Sequence, residues 1–203
     1  PLPRARAGRG LTVQSRTGPG KTAAFGIPIV EKARPDRKDV QALILCPTRE
    51  LCLQVTGEMG RLGAGAGINA LAIYGGDSMD RQLEGIRAGA HVIVGTPGRV
   101  LDHLRRRTLR FDRVKILVLD EADRMLDMGF AVEMGQIMEF VPAERQTLLF
   151  SATIPLGIRG LIYHYLSDPE WVLLSEDQIY VKEVEHLYCL TPKLHKEATL
   201  YKL

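Results

Sequence analysis

Val118-Leu119-Asp120-Glu121-Ala122-Asp123 places two acidic side chains where the apolar run Ile116–Leu119 gives out. A buried strand that ends on carboxylates presents hard oxygen ligands at one edge of a sheet. About a hundred residues earlier stands Ser15-Arg16-Thr17-Gly18-Pro19-Gly20-Lys21-Thr22. It fits the phosphate-binding pattern G-x-x-x-x-G-K-[ST], with Ser15 in place of the first glycine. Glycines let successive backbone N–H groups converge on anionic oxygens, and the helix that follows adds its positive end. Lys21 would neutralise the β and γ phosphates, and the Thr22 hydroxyl would coordinate Mg²⁺. Asp120 would hold the same Mg²⁺, through water, while Glu121 would orient and deprotonate an attacking water. Asp123 is expected to pair with Arg, Ser or Thr groups. Each motif has a plainer reading: a Gly/Pro surface turn for the first, a helix start enriched in acids for the second. Together they describe a site that binds and hydrolyses a nucleoside triphosphate. Pro19 has no N–H to donate and biases Gly18 away from helical angles, so nucleotide affinity is expected to be weakened but not abolished.

Outward from these motifs, apolar runs alternate with amphipathic stretches. Residues 11–13, 42–46, 70–74, 91–94, 116–119 and 147–150 read as buried strands. Their near-continuous hydrophobicity suits a parallel sheet covered on both faces. Helical spacing occupies residues 21–33, 50–62, 79–87, 99–105, 131–140 and 156–166. The fold expected is α/β: an open, doubly wound, mostly parallel sheet, with ligands gathered beyond the carboxyl ends of the strands. Every motif falls at such an end, the phosphate turn and the acidic tetrad on neighbouring strands. Gly57–Gly67 reads as a helix end and loop. Residues 171–174 offer a last strand, 175–182 a linker, 184–190 one more strand and 193–203 the opening of a helix. The domain expected therefore covers residues 1–176, with 177–203 as a linker and the start of a second domain.

Composition permits this and excludes alternatives. With 203 residues, 45% hydrophobic and 25% charged, the chain is an ordinary globular sequence. A formal charge of +3 does not by itself announce a nucleic-acid binder. Cys46, Cys52 and Cys189 have no CxxC spacing, which argues against a structural zinc site, and their sparse use suits a reducing, cytoplasmic setting. No apolar run approaches the ~20 residues that span a bilayer, so no membrane partner is expected. The first residue is Pro1 rather than Met, which fits a piece of a longer protein.

Five motifs, in order, carry a family resemblance. They are Pro47-Thr48-Arg49-Glu50-Leu51 with Gln54, Gly75-Gly76, Thr96-Pro97-Gly98-Arg99, the literal tetrad Asp120-Glu121-Ala122-Asp123, and Ser151-Ala152-Thr153. With the phosphate turn, they make residues 8–176 resemble the first RecA-like domain, a P-loop NTPase fold, of the DEAD-box RNA helicases of superfamily 2. The resemblance implies ATP and Mg²⁺ as cofactors. It assigns ATP to Ser15, Thr17, Gly18, Pro19, Gly20, Lys21 and Thr22, with Glu121 and Lys21 catalytic and Thr22 and Asp120 at the metal. It implies that Pro47, Thr48, Arg49, Gly75, Gly76, Thr96, Pro97, Gly98 and Arg99 grip RNA, single-stranded or in a short duplex. Arginines and hydroxyls suit phosphate contacts, which carry no base identity, so binding would be independent of sequence. The same residues are also good helix-start and turn chemistry. Asp123, Ser151 and Thr153 would couple the two sites; a strand-end Ser/Thr pair can equally cap a helix. Two features depart from the family. No adenine-reading glutamine motif stands in the fourteen residues before Ser15, Gln14 being too close, which puts adenine selectivity in doubt. The family's second RecA-like domain, with its arginine finger, is expected to be a needed partner, so strand separation and ATP turnover by this chain alone are expected to be slight. A module that retains the fold for RNA binding or protein docking without useful turnover is the alternative, and a DNA helicase of the same superfamily a third.

Other residues draw blander readings. His91, His103, His164, His186 and His195 show no ligand spacing and read as structural or exposed. Met125, Met128, Met134 and Met138 read as core fillers. Trp171 reads as a packing anchor, and Arg105-Arg106-Arg107 as a solvated helix end that could also touch RNA phosphate.

Overall fold

The structure, a computed structural model, describes residues 1–15 and 20–174. The expectations on residues 175–203 and on Arg16, Thr17, Gly18 and Pro19 lie outside the described residues. Among the described residues seven strands form one sheet: β1 (Leu11–Gln14), β2 (Ala42–Leu45), β3 (Ala70–Ile73), β4 (Val92–Gly95), β5 (Ile116–Leu119), β6 (Gln146–Ser151) and β7 (Glu170–Leu173). All pairings are parallel, in the order β3-β4-β2-β5-β6-β1-β7. Among the described residues eight α-helices flank it: α1 (Leu2–Arg6), α2 (Lys21–Lys32), α3 (Arg49–Gly63), α4 (Met79–Arg87), α5 (Pro97–Arg105), α6 (Ala122–Asp127), α7 (Ala131–Met138) and α8 (Leu156–Tyr165). This is the open doubly wound α/β fold expected from the alternation of runs.

The strands are apolar on both faces because both faces are covered. Leu43, Leu45, Ile93, Leu117, Leu119 and Leu149 point into one core with Val100 and Leu104 of α5, Met125 of α6, Ile137 of α7 and Ile158 of α8. Their neighbours Ala42, Ile44, Val92, Val94, Ile116, Val118 and Phe150 point into the other, with Phe25 and Ile29 of α2 and Val55 and Met59 of α3. Each fully buried side chain of this kind contributes about 1.5–3 kcal/mol. Phe25 and Phe150 meet edge to face with centroids 5.4 Å apart, which locks α2 across β6. Among the described residues no helix is long and apolar enough to cross a membrane.

Several expectations are corrected. Strands β1 and β5 are not neighbours: β6 lies between them, so the phosphate turn and the acidic tetrad flank a third strand end. Helix α6 begins inside the tetrad. Its signal was present, since Ala122, Met125 and Leu126 stand at i, i+3 and i+4 before Gly129, whose φ is +82°. Gly57, Gly60 and Gly63 lie within α3, and only Ala64–Ala66 forms a separate 3₁₀ turn. Met128 is exposed because α6 has already ended, whereas Met125, Met134 and Met138 are buried. Trp171 is 48% exposed on edge strand β7, where it lines a cleft of about 790 Å³ with Gln14, Tyr163 and Leu173.

Candidate functional site

Strand order divides the carboxyl edge of the sheet into two territories. The adjacent ends of β5, β6 and β1 carry Asp120–Asp123, Ser151–Thr153 and the phosphate turn. The adjacent ends of β3, β4 and β2 carry Gly75-Gly76, Thr96–Arg99 and Pro47–Arg49. The two meet where the Asp120 N–H donates to the Leu45 carbonyl at 2.9 Å.

In the first territory, Lys21 Nζ lies 3.2 Å from Asp120 Oδ1. These residues stand 99 positions apart in the chain and meet because both β1 and β5 run in parallel toward the same edge. Asp120 is only 2% exposed. Its burial pushes the carboxyl's pKa up, and the Lys21 ammonium partly opposes that. Gly20 caps α2 at φ +95°, a left-handed angle that suits glycine. Thr22, in the first turn of α2, is buried. Ser15 donates its N–H to the Ser151 carbonyl at 3.0 Å, and its buried Oγ has no partner among the described residues.

Glu121 occupies the left-handed region, φ 52° and ψ 52°. For a residue with a long side chain this costs about 1–3 kcal/mol. The Glu121 N–H donates to Asp120 Oδ1 at 3.1 Å. Asp123 Oδ2 accepts two bonds of 2.9 Å, from the Thr153 N–H and from its hydroxyl. The Asp123 N–H donates to Ser151 Oγ at 3.2 Å. The tetrad's last acid is thus tied to β6 rather than free for a metal.

A divalent cation fits the chemistry of the donors. Asp120 and Thr22 supply two hard oxygens, and among the described residues the buried carboxylate pairs with one cation, Lys21. No group of three or more His, Cys, Asp or Glu able to hold a metal occurs among the described residues. Asp120 and Thr22 are a small donor set of the kind Mg²⁺ completes with water and phosphate.

In the second territory, the Thr48 hydroxyl caps α3 by accepting from the Leu51 N–H at 3.3 Å. Arg49 is exposed and lies over the Tyr74 ring, 5.0 Å from its centroid. Gly75 and Gly76 are exposed, with open space where a side chain would stand. Pro47 and Pro97 are buried, Thr96 is half-buried and Gly98 exposed. Arg99 Nη1 donates to the Asp77 carbonyl at 2.9 Å and to Gln82 Oε1 at 3.4 Å.

Gln82 escaped the reading of the sequence. It is buried in α4 and donates to the Tyr74 carbonyl at 2.9 Å, so it holds the paired-glycine loop as well as Arg99. His103 Nε2 lies 3.1 Å from the same Gln82 oxygen, and His103 Nδ1 lies 2.8 Å from Thr108 Oγ1. A signal existed: Gln82 takes a core position between Met79 and Ile86 on an amphipathic helix. Cys46 and Cys52 are buried, and a hydrogen bond between them, with burial, pushes the Cys46 thiol up, away from reactivity.

A family model described as "DEAD/DEAH box helicase" matches residues 2–159. The "DEAD-box ATP-dependent RNA helicase CshA" of Bacillus licheniformis is 43% identical over 202 residues, covering 100% of this chain and 42% of that protein. The protein of the same name in Geobacillus kaustophilus is 49% identical over 175 residues, covering 86% of this chain and 38% of its own length. The chain thus spans less than half the length of the curated relatives it matches. The crystal structure of a DEAD box protein from the hyperthermophile Methanococcus jannaschii superimposes with a TM-score of 0.82 at 38% identity, covering 86% of this chain and 48% of that one.

Proposed function

We infer, because this chain belongs to the DEAD/DEAH box helicase family, that its two territories are the ATP half-site and the RNA-gripping surface of an ATP-dependent RNA helicase. The observation that carries this is the 3.2 Å approach of Lys21 to Asp120 across 99 residues of chain. An ammonium beside a buried carboxylate, at the opening of a helix, is the charge arrangement that a magnesium triphosphate completes.

In this reading the turn from Ser15 to Thr22 wraps the phosphates, and Lys21 leaves Asp120 for the β and γ oxygens. Asp120 and Thr22 hold Mg²⁺, which when bound neutralises charge developing on the phosphate oxygens. Glu121 orients the attacking water and accepts its proton. Asp123, held by Thr153 and Ser151, reports the state of the nucleotide to β6. Thr48, Arg49, Gly75, Gly76, Thr96, Gly98 and Arg99 contact sugar and phosphate without reading bases. Pro47 and Pro97, being buried, shape the two helix starts. Productive hydrolysis and strand separation are proposed to need a second RecA-like unit that supplies an arginine finger, a contribution of about 10³–10⁵ in rate. The setting proposed is the cytoplasm.

Titration of the full chain with ATP, with and without Mg²⁺, tests this. Magnesium-dependent ATP binding is expected, retained in Glu121→Gln and lost in Lys21→Ala. ATP binding equal in all three proteins, or absent from all, overturns the nucleotide reading. Binding of RNA with no ATP binding would favour the non-catalytic module, for which Pro19 in the phosphate turn is the supporting observation.

A further inference from the structure

Charge is unevenly spread over this molecule. Residues 105–115 hold six cations, Arg105, Arg106, Arg107, Arg110, Arg113 and Lys115, against the single carboxylate Asp112, a local balance of +5 in a chain whose total is +3. All six are exposed. The segment joins the end of α5 to the start of β5, so it lies at the amino end of the sheet, opposite both territories described above. Two of its cations are already paired, Arg106 with Asp102 at 2.7 Å and Arg110 with Asp112 at 3.1 Å. Arg105 donates to the neutral Gln136 at 2.8 Å. Arg107, Arg113 and Lys115 have no carboxylate within ion-pair reach among the described residues.

The cluster is more than a solvated helix end. Leu104, Arg107, Leu109, Arg110, Phe111, Asp112 and Phe140 line a cleft of about 360 Å³. Phe140 follows α7 and is 43% exposed there, an aromatic face beside two guanidinium groups. Arg107 is the residue just past the cap of α5, at φ 56°. Glycine or asparagine takes that position at less cost. An arginine thus holds a strained conformation in the lining of the cleft.

We propose that Arg107, Arg110 and Phe140, with Arg105 held to the neighbouring helix α7 through Gln136, form a second binding site for single-stranded RNA at the amino end of the sheet. Guanidinium groups track the phosphates, and an exposed aromatic ring stacks on a base whatever its identity. An acidic peptide would use the charges but leave Phe140 without a role. The choice of RNA as the polyanion rests on the helicase reading. It is reinforced by α5, which starts at Thr96–Arg99 and ends at Arg105: nine residues of helix separate the two surfaces by only ~13 Å.

The test uses the full chain and fluorescein-labelled oligouridylates of two lengths, a 6-mer and a 20-mer, with binding followed by anisotropy at 50 and 200 mM salt. Arg107→Asn with Arg110→Gln is expected to weaken 20-mer binding and to flatten its salt dependence by about 0.7 for each phosphate no longer neutralised. Over that fourfold rise in salt, the unaltered chain then loses about 7-fold more affinity than the double variant. Phe140→Leu is expected to weaken the 20-mer about 5-fold or more at both salt concentrations, with the slope unchanged. Asp112→Asn is expected to tighten 20-mer binding, a gain that no loss of folding imitates. Arg107→Asn alone is expected to leave the melting temperature unchanged or higher.

An unchanged 20-mer affinity and slope in the double variant overturns the proposal. So does equal binding of polyglutamate of matched charge, or no gain from Asp112→Asn. Failure of the helicase reading shows separately: the 6-mer would then bind no more weakly to Arg49→Ala than to the unaltered chain, whatever happens at the second cleft.

Discussion

At Asp120, burial and a neighbouring cation act in opposite directions. Removing the cation leaves an uncompensated buried charge. Lys21→Met is expected to destabilise the chain toward the lower end of roughly 3–5 kcal/mol, because the lysine keeps some exposure to solvent. Adding Asp120→Asn to Lys21→Met is expected to restore most of that stability in urea denaturation, while ATP binding stays lost. A double variant as unstable as the single one would mean the pair does not carry the effect. Glu121 is the opposite kind of residue, held at φ 52° by its surroundings. Glu121→Asn, which tolerates that angle better, is expected to gain up to about 1 kcal/mol in the ligand-free chain, read as a higher urea midpoint. Both residues were legible in the sequence by type and position. The strain at Glu121 was not, because a backbone angle depends on what packs around it.

At the scale of elements, α4 and α5 are joined through Gln82, Arg99 and His103. Burial, and then the Arg99 guanidinium, hold the His103 pKa below its ordinary 6.5, so the imidazole is neutral in the folded protein. The unfolded chain takes up that proton first, as pH falls through 6.5. Stability should therefore be full above that value and decline as pH drops toward the folded pKa. Urea midpoints at pH 7.5 and 5.5 are expected to differ less in His103→Gln than in the unaltered chain. An equal drop in both would assign the pH dependence to other groups. Gly95, at the end of β4, is a second constraint: a methyl there would stand 2.3 Å from Val100 Cγ2 and 2.8 Å from the Ile73 carbonyl oxygen. Gly95→Ala is expected to cost about 1–3 kcal/mol and to displace Thr96–Arg99, with a matching loss of RNA binding. Hydrophobic period revealed α2, α3, α5 and α8 to within a residue or two at most ends. It passed over Gln82 because a buried amide declares itself only through partners on other elements.

For the molecule as a whole, ligand binding and folding are linked. At 100 times its Kd, Mg-ATP should stabilise the folded chain by about 2.7 kcal/mol. For a domain of this size that raises the melting temperature by roughly 5–10 °C. Calorimetry is expected to show the rise with Mg-ATP and little of it with ATP and a chelator. The same rise without magnesium would argue against a metal held by Asp120 and Thr22. By itself, the sequence determined the strand–helix alternation, the doubly covered sheet and the chemical type of every motif, because those follow from local period and composition. Only the tertiary structure decided that β6 separates β1 from β5, and that the ends of β3, β4 and β2 form one surface while those of β5, β6 and β1 form another. The reason is physical. Fully buried strands are nearly interchangeable as short apolar runs, so their order is set by packing and hydrogen bonds between segments far apart in the chain.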